Sequence, residues 1–202
     1  MANATIYGST SDGALRKDGA SWAACQAATP SVNTGGVAAY ILRMLSRGTY
    51  SLQRLAFAFD VSPYAGDTIT AATLQLYLDD ATDAIQADLY YYDWGTSLEA
   101  GDWVSVGSMV LAATSTPSGY GYQTWTLDSL SNILSKNGRF ILVLHDESTE
   151  PTGINYLHYL MADNGSNKPK LDITYTTGGG AAHLWIPSHH DGGLYERMAG
   201  GL

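Results

Sequence analysis

The side chains best equipped for chemistry are few, and they sit in unpromising company. His189, His190 and Asp191 stand together in "SHHD" and could ligate a transition metal. Neighbours in an extended segment point apart, however, and no other His or Cys lies at ligand spacing. His145 and His158 fall inside alternating strand patterns, where a structural hydrogen bond is the usual fate of an imidazole. Cys25 is the only cysteine and no nucleophile motif accompanies it. Covalent catalysis and an intrachain disulfide are therefore both without support. Acid–base catalysis needs two carboxylates facing each other across a cleft. Here Asp79, Asp80 and Asp83 crowd one turn, "DDATD", and Glu147 and Glu150 another. Turn acids are ordinarily solvated, but the hard oxygens of "DDATD" suit calcium. No glycine motif cradles a phosphate. The expectation is no catalytic centre and no cofactor, with calcium the one ion whose ligand chemistry is met.

Aromatic residues are more plentiful: 14 tyrosines, five tryptophans and three phenylalanines. Tyrosine is stiff and amphipathic, which serves both glycan stacking and protein interfaces. Alternation puts Tyr90, Tyr92 and Trp94 on one strand face, and Tyr120 and Tyr122 on another. These five are the candidate glycan or interface aromatics, against the plainer reading that many such rings fill the interior.

The elements that must position these residues are strands. In "YSLQRLAFAFDV", Leu55, Phe57, Phe59 and Val61 share one face, and Arg54, Ala56 and Ala58 the other. In "ATLQLYL", Leu74, Leu76 and Leu78 oppose Thr73, Gln75 and Tyr77. "AIQADLYYYDW" alternates Ile85, Ala87, Leu89 and Tyr91 against Gln86, Asp88, Tyr90 and Tyr92. "VSVGSMVLAA", "GYQTWTL", "RFILVLHDE", "INYLHYLMA" and "PKLDITYTT" complete the period-two set. One helix is expected in "LDSLSNILSKNG", capped by Asp128, striped by Leu130, Ile133 and Leu134, and ended by Gly138. Residues 11–48 give no firm period and read as a long excursion between core strands, with "VAAYILRML" a strand or a short helix. The predicted fold is all-β: an antiparallel two-sheet sandwich, jelly-roll-like, with one short helix. Leu55, Phe57, Phe59, Leu74, Leu76, Leu142 and Leu144 should share its core.

Three segments in order resemble the DNRLRE-type β-sandwich family, related to disaggregatase. "QRLAFAFDVSPYAGDTITAATLQLYL" is similar to its hallmark through Arg54, Phe59, Asp60, Ala72, Thr73, Leu74, Leu76 and Tyr77. "DWGTSLEAGDW" resembles its tryptophan-marked loop through Trp94 and Trp103. "YLMADNGSNKPKLDITY" resembles its closing Pro-x-Leu-x-Ile-x-Tyr strand. The resemblance runs from about Ala4 to Tyr175. It implies a sandwich module of surface, cell-wall or phage proteins, often beside carbohydrate-active domains, and implies no reaction.

Beyond Thr177 the chain changes character. "GGG" at 178–180 has the composition of a hinge, and Leu184, Trp185, Ile186, Leu194, Tyr195, Met198 and Leu202 follow. Disordered tails are poor in such residues. The division expected is a sandwich domain over 1–177 and a Gly-hinged arm over 178–202. Strand addition to an exposed sheet edge would supply the backbone hydrogen bonds such an arm needs, on its own domain or a neighbour's.

Composition narrows the setting. In 202 residues, 45% are hydrophobic and 14% charged, with Asp and Glu outnumbering Lys and Arg 19 to 10. A net charge of −9 disfavours nucleic acid, and no apolar run reaches membrane-spanning length. The first residues carry neither a basic n-region nor an apolar h-region. An exterior-type sandwich without signal peptide or disulfide, with a docking arm, fits a phage particle made in a host cytoplasm. The leading expectation is a non-enzymatic virion component, as a capsid decoration protein or a head or tail fibre part. Its partners would be other virion subunits and copies of itself, with a surface glycan as a further candidate. The alternative is a carbohydrate-binding or adhesion module of a cell-surface protein.

Overall fold

The computed structural model describes residues 1–82 and 85–178. Twelve strands are present there: β1 (Ala2–Tyr7), β2 (Gly13–Gly19), β3 (Ser31–Thr34), β4 (Ala38–Ser46), β5 (Thr49–Ala58), β6 (Thr68–Ala81), β7 (Ala87–Tyr91), β8 (Val110–Ser115), β9 (Gly121–Thr126), β10 (Arg139–Leu144), β11 (Ile154–Leu160) and β12 (Lys170–Thr176). Two short helices join them, α1 (Trp22–Ala27) and α2 (Ser131–Ser135). Every strand pairing is antiparallel. The strands form one continuous sheet in the order β1-β12-β6-β11-β4-β5-β10-β7-β8, with β2 added along β5, β3 along β2 and β9 along β6.

The two longest strands make this sheet curl. Residues 73–78 of β6 pair with β9 on one edge, so β12, on 68–75, and β11, on 78–81, must follow one another along the other edge. In β5, residues 50–56 pair with β2, so β4 and β10 must likewise share the opposite edge. Where partners change along one edge, the sheet has to fold over. The far ends also meet, because the Asp128 N–H donates to the Ala112 carbonyl at 2.9 Å and so links the end of β9 to β8.

The concave face holds the main core. Leu55, Phe57, Phe59, Leu74, Leu76, Leu142 and Leu144 are buried together, with Trp125 and Tyr159. Strand alternation placed those leucines and phenylalanines correctly. The convex face of β5 and β10 builds a second, smaller cluster from Leu15, Ala56, Ala58, Ile141 and Val143. The small side chains of Ala56 and Ala58 leave room for the segment after β7 to lie over them, and Trp94, Leu98 and Met109 fill the space.

Three expectations need correction. Residues 11–48 are not an excursion: β2 pairs along most of β5, and β4 lies between β5 and β11 with Ile41 and Leu42 buried. These strands gave no period to read because their burial does not alternate: Gly13, Ala14 and Leu15 are buried in succession, as are Ile41 and Leu42. A second short helix, α1, was not anticipated; Ser21 Oγ accepts from the Ala24 N–H at 3.2 Å, and Cys25 is buried. In α2 the cap is not Asp128, because the helix begins two residues later and Leu130 occupies the N-cap without a side-chain bond.

α2 ends at Ser135 with Lys136 as its C-cap, earlier than the expected Gly138, which stands two residues past the cap at φ 64° with its N–H donating to the Ile133 carbonyl at 2.7 Å. A Cβ there would lie 2.3 Å from the Phe59 carbonyl oxygen. Gly138→Ala should therefore lose more than the roughly 1–2 kcal/mol of left-handed backbone strain alone, read as a lowered midpoint in urea unfolding.

Asp12 is a buried acid on the loop between β1 and β2. One oxygen accepts from the Ala162 N–H at 2.6 Å and the other has no partner among the described residues. Burial pushes its carboxyl up to about 7, against the pull of the Ala162 N–H and with a further rise from Asp163. The fold thus holds this proton more tightly than the unfolded chain does. Its stabilisation is complete below the ordinary value of 3.8 and falls as pH rises towards about 7. Comparing urea unfolding of wild type and Asp12→Asn at about pH 4 and pH 8 should show that fall only in wild type, by on the order of 2–4 kcal/mol.

Candidate functional site

A cleft of about 570 Å³ lies where β5 ends. That lies within the range of small-molecule sites. Ala65 and Leu134 are its more accessible apolar lining, Phe59 and Val61 reach it from the buried core, and Ser9, Ser11 and Thr96 contribute hydroxyls. Its charged groups are Asp60, Asp93 and Arg139. Asp60 follows Phe59, one residue beyond the end of β5, where the chain turns. Its Oδ1 accepts from the Ser62 hydroxyl at 2.6 Å and the Ser62 N–H at 3.1 Å, and these bonds hold the carboxyl below the usual carboxylate range. Asp93 is more fully committed. It accepts from the Gly95 N–H at 3.0 Å and from Asn137 Nδ2 at 2.6 Å, with Arg139 Nε 3.8 Å away. Asn137 stands at φ 53°, the left-handed conformation that asparagine tolerates. The Arg139 guanidinium lies 5.7 Å from the Trp94 ring centre and donates to the Asn137 carbonyl at 3.1 Å.

The predicted aromatics are placed differently from one another. Tyr90, Tyr92 and Trp94 do share a face, but that face is covered. Trp94 is only 5% exposed and belongs to the convex cluster, with Tyr90 and Tyr92 half-buried against it. The Tyr90 hydroxyl donates to Asp88 at 3.4 Å, and burial beside that carboxylate pushes it up to about 12. Tyr120, by contrast, is 71% exposed. Tyr122 is half-buried, edge-on to Tyr77 at 5.3 Å and beneath the Lys170 ammonium at 4.1 Å.

Sequence reasoning missed a third aromatic group on the convex side of β4 and β11. Tyr40 stacks on His158 at 4.2 Å and meets Tyr156 edge-on at 5.2 Å. The signal was available, since Tyr40, Tyr156 and His158 occupy the outward positions of two alternating segments. The expected turn "DDATD" needs correction, because Asp79 and Asp80 belong to the end of β6, where pairing with β11 extends the strand to Ala81. Asp79 lies 3.3 Å from His158 Nδ1, and Asp80 accepts from the Tyr156 hydroxyl at 2.7 Å. Asp83 lies outside the described residues. Among the described residues no group of three or more His, Cys, Asp or Glu is placed to hold a metal ion.

A polar knot lies on the convex face beside Tyr90. Arg54, 3% exposed, pairs through two nitrogens with Glu147 and donates to the Val104 carbonyl at 2.7 Å. Its guanidinium lies 4.3 Å from the Trp103 ring centre, and the Lys17 ammonium 4.9 Å from the same ring. Next to it, buried Asp88 binds His145 Nδ1 at 2.8 Å and the Thr114 hydroxyl at 2.5 Å. Each charge here has a partner, which describes a staple for the covering segment better than a reactive centre.

Of the arm, only its root is described. Gly178 approaches so close to the Gly66 carbonyl that a Cβ would lie 2.1 Å from that oxygen, and its N–H donates to Asp67 at 3.3 Å. Tyr175 packs edge-on to Tyr64 at 5.0 Å just before it. Leu184, Trp185, Ile186, Leu194, Tyr195 and Met198 lie outside the described residues, as do His189, His190 and Asp191. No helix among the described residues is long and apolar enough to cross a membrane. Compared with known proteins, the chain matches no family model and no curated protein.

Proposed function

We propose that this chain is a non-enzymatic structural component of a phage particle, built as a display domain on a docking arm. The carrying observation is the root of the arm. Gly178 is pinned against Gly66 and Asp67, and Ala2 pairs with Tyr175 beside it. The chain therefore leaves the domain at the turn after β5, next to Ala65 of the cleft. The partner switches along β5 and β6 support reading the curled sheet as a two-sheet, jelly-roll-like sandwich of the DNRLRE type. The arm of residues 178–202 docks on neighbouring subunits, with Trp185 and Tyr195 as its anchors, since large aromatics concentrate interface energy. Copies of the chain then assemble with one another and with other particle subunits.

Deleting residues after Thr177 tests this. The truncated protein should keep its thermal unfolding midpoint, yet lose self-assembly in solution mass measurements and co-sedimentation with particles. A truncation that unfolds the domain makes the arm part of its own core. A truncation without effect on either property removes the docking role.

A further inference from the structure

We propose that the cleft at the end of β5 is a binding site for a pyranose unit of a neutral glycan. This inference is independent of the arm and of any particle, because every group it uses lies between Ser9 and Arg139.

The chemistry of the lining selects the ligand class. The Arg139 guanidinium donates to the Asn137 carbonyl and has the Asp93 carboxylate 3.8 Å from its Nε, so its charge is already balanced within the cleft. Asp60 remains ionised at neutral pH, and its Oδ2 makes no hydrogen bond among the described residues. An anionic ligand would meet that carboxylate unpaired. A ligand bearing hydroxyls would instead satisfy it, since an ionised carboxylate is a strong acceptor for O–H donors. The Ser9 and Ser11 hydroxyls, 2.8 Å apart, and the Thr96 hydroxyl can each both donate and accept, which matches the dual character of a sugar alcohol. An organic cation would use none of that donor capacity. Half-buried Leu134 and exposed Ala65 offer a small apolar surface for the C–H face of a sugar ring. Asp93 and Asn137 are locked to each other, and Asp60 is locked by Ser62, so the acceptors are positioned before any ligand arrives.

The experiment is titration calorimetry on the full chain. Its probes are hexasaccharides of α-1,4-glucan, β-1,4-glucan, β-1,4-galactan and chitin, with oligogalacturonate as the anionic comparison. At least one neutral probe should bind saturably and oligogalacturonate should not. Asp60→Asn, which keeps the turn with Ser62, should weaken that binding about tenfold or more, as loss of a charge-assisted hydrogen bond requires. Thr96→Val should weaken it by a smaller factor, and both variants should keep the wild-type melting midpoint. If Asp60→Asn lowers that midpoint, Thr96→Val alone decides. Absence of saturable binding to every neutral probe overturns the proposal, and so does binding that neither variant changes.

Discussion

Phe57→Ala should remove about 3–5 kcal/mol of stability, the usual cost of emptying a core position of its aromatic ring. Phe57 is fully buried and pairs through its backbone with Phe140 of β10. The neighbourhood has little freedom to collapse into the void. Phe59 and Phe140 meet edge-on at 5.8 Å, and Phe140 and Tyr91 at 5.1 Å, so the aromatic packing is fixed from several sides. Equilibrium urea unfolding of the variant should show the loss as a shifted midpoint with an unchanged slope. A loss under about 1 kcal/mol would mean that Phe57 does not pack as described.

The second large effect concerns a charge. Glu147→Ala should cost about 3–5 kcal/mol, because it leaves the Arg54 guanidinium buried without its counter-ion. The Arg54 side chain is 4% exposed, so water cannot replace the lost carboxylate readily. The Val104 carbonyl and the Trp103 ring remain, but a dipole and a quadrupole do not neutralise a cation. The double variant Arg54→Met, Glu147→Leu should recover most of the loss, since matched apolar replacements often equal a buried pair. If the double variant is no better than the single one, packing of the covering segment is at stake, and the charge is not.

How legible this was depended on the contrast between neighbouring residues. Leu55, Phe57 and Phe59 alternate with Arg54, Ala56 and Ala58, and the inward face followed at once. Ala20 to Ala28 is rich in alanine, so α1 did not announce itself, and β2, "GALRKDG", has Leu15 as its one large apolar residue and no alternation to read. Asp128 looked like a cap because acids before an apolar stripe commonly are caps. Here its backbone is used to join β8, and the helix starts later. The cleft was illegible for a different reason. Ser9, Asp60 and Asp93 belong to three separate connections and Arg139 to the start of β10, and only the curl of the sheet brings them together. Likewise Trp94 could be put on a face from its spacing, but that the face is covered depends on eighteen residues of irregular chain.

The pairing of β1 with β12 bears on how the molecule is made. Ala2 lies opposite Tyr175, so the sheet is completed by residues at opposite ends of the described chain. β12 also supplies the neighbour for half of β6. Until Thr176 has emerged from the ribosome, β1 has no partner and the N-terminal half of β6 keeps a bare edge. Folding that waits on such distant pairings belongs to the slow class of roughly milliseconds to seconds. During that interval the unpaired edges of β1 and β6 are open to strands of other nascent chains, and crowded synthesis is when this sheet is most exposed to mispairing.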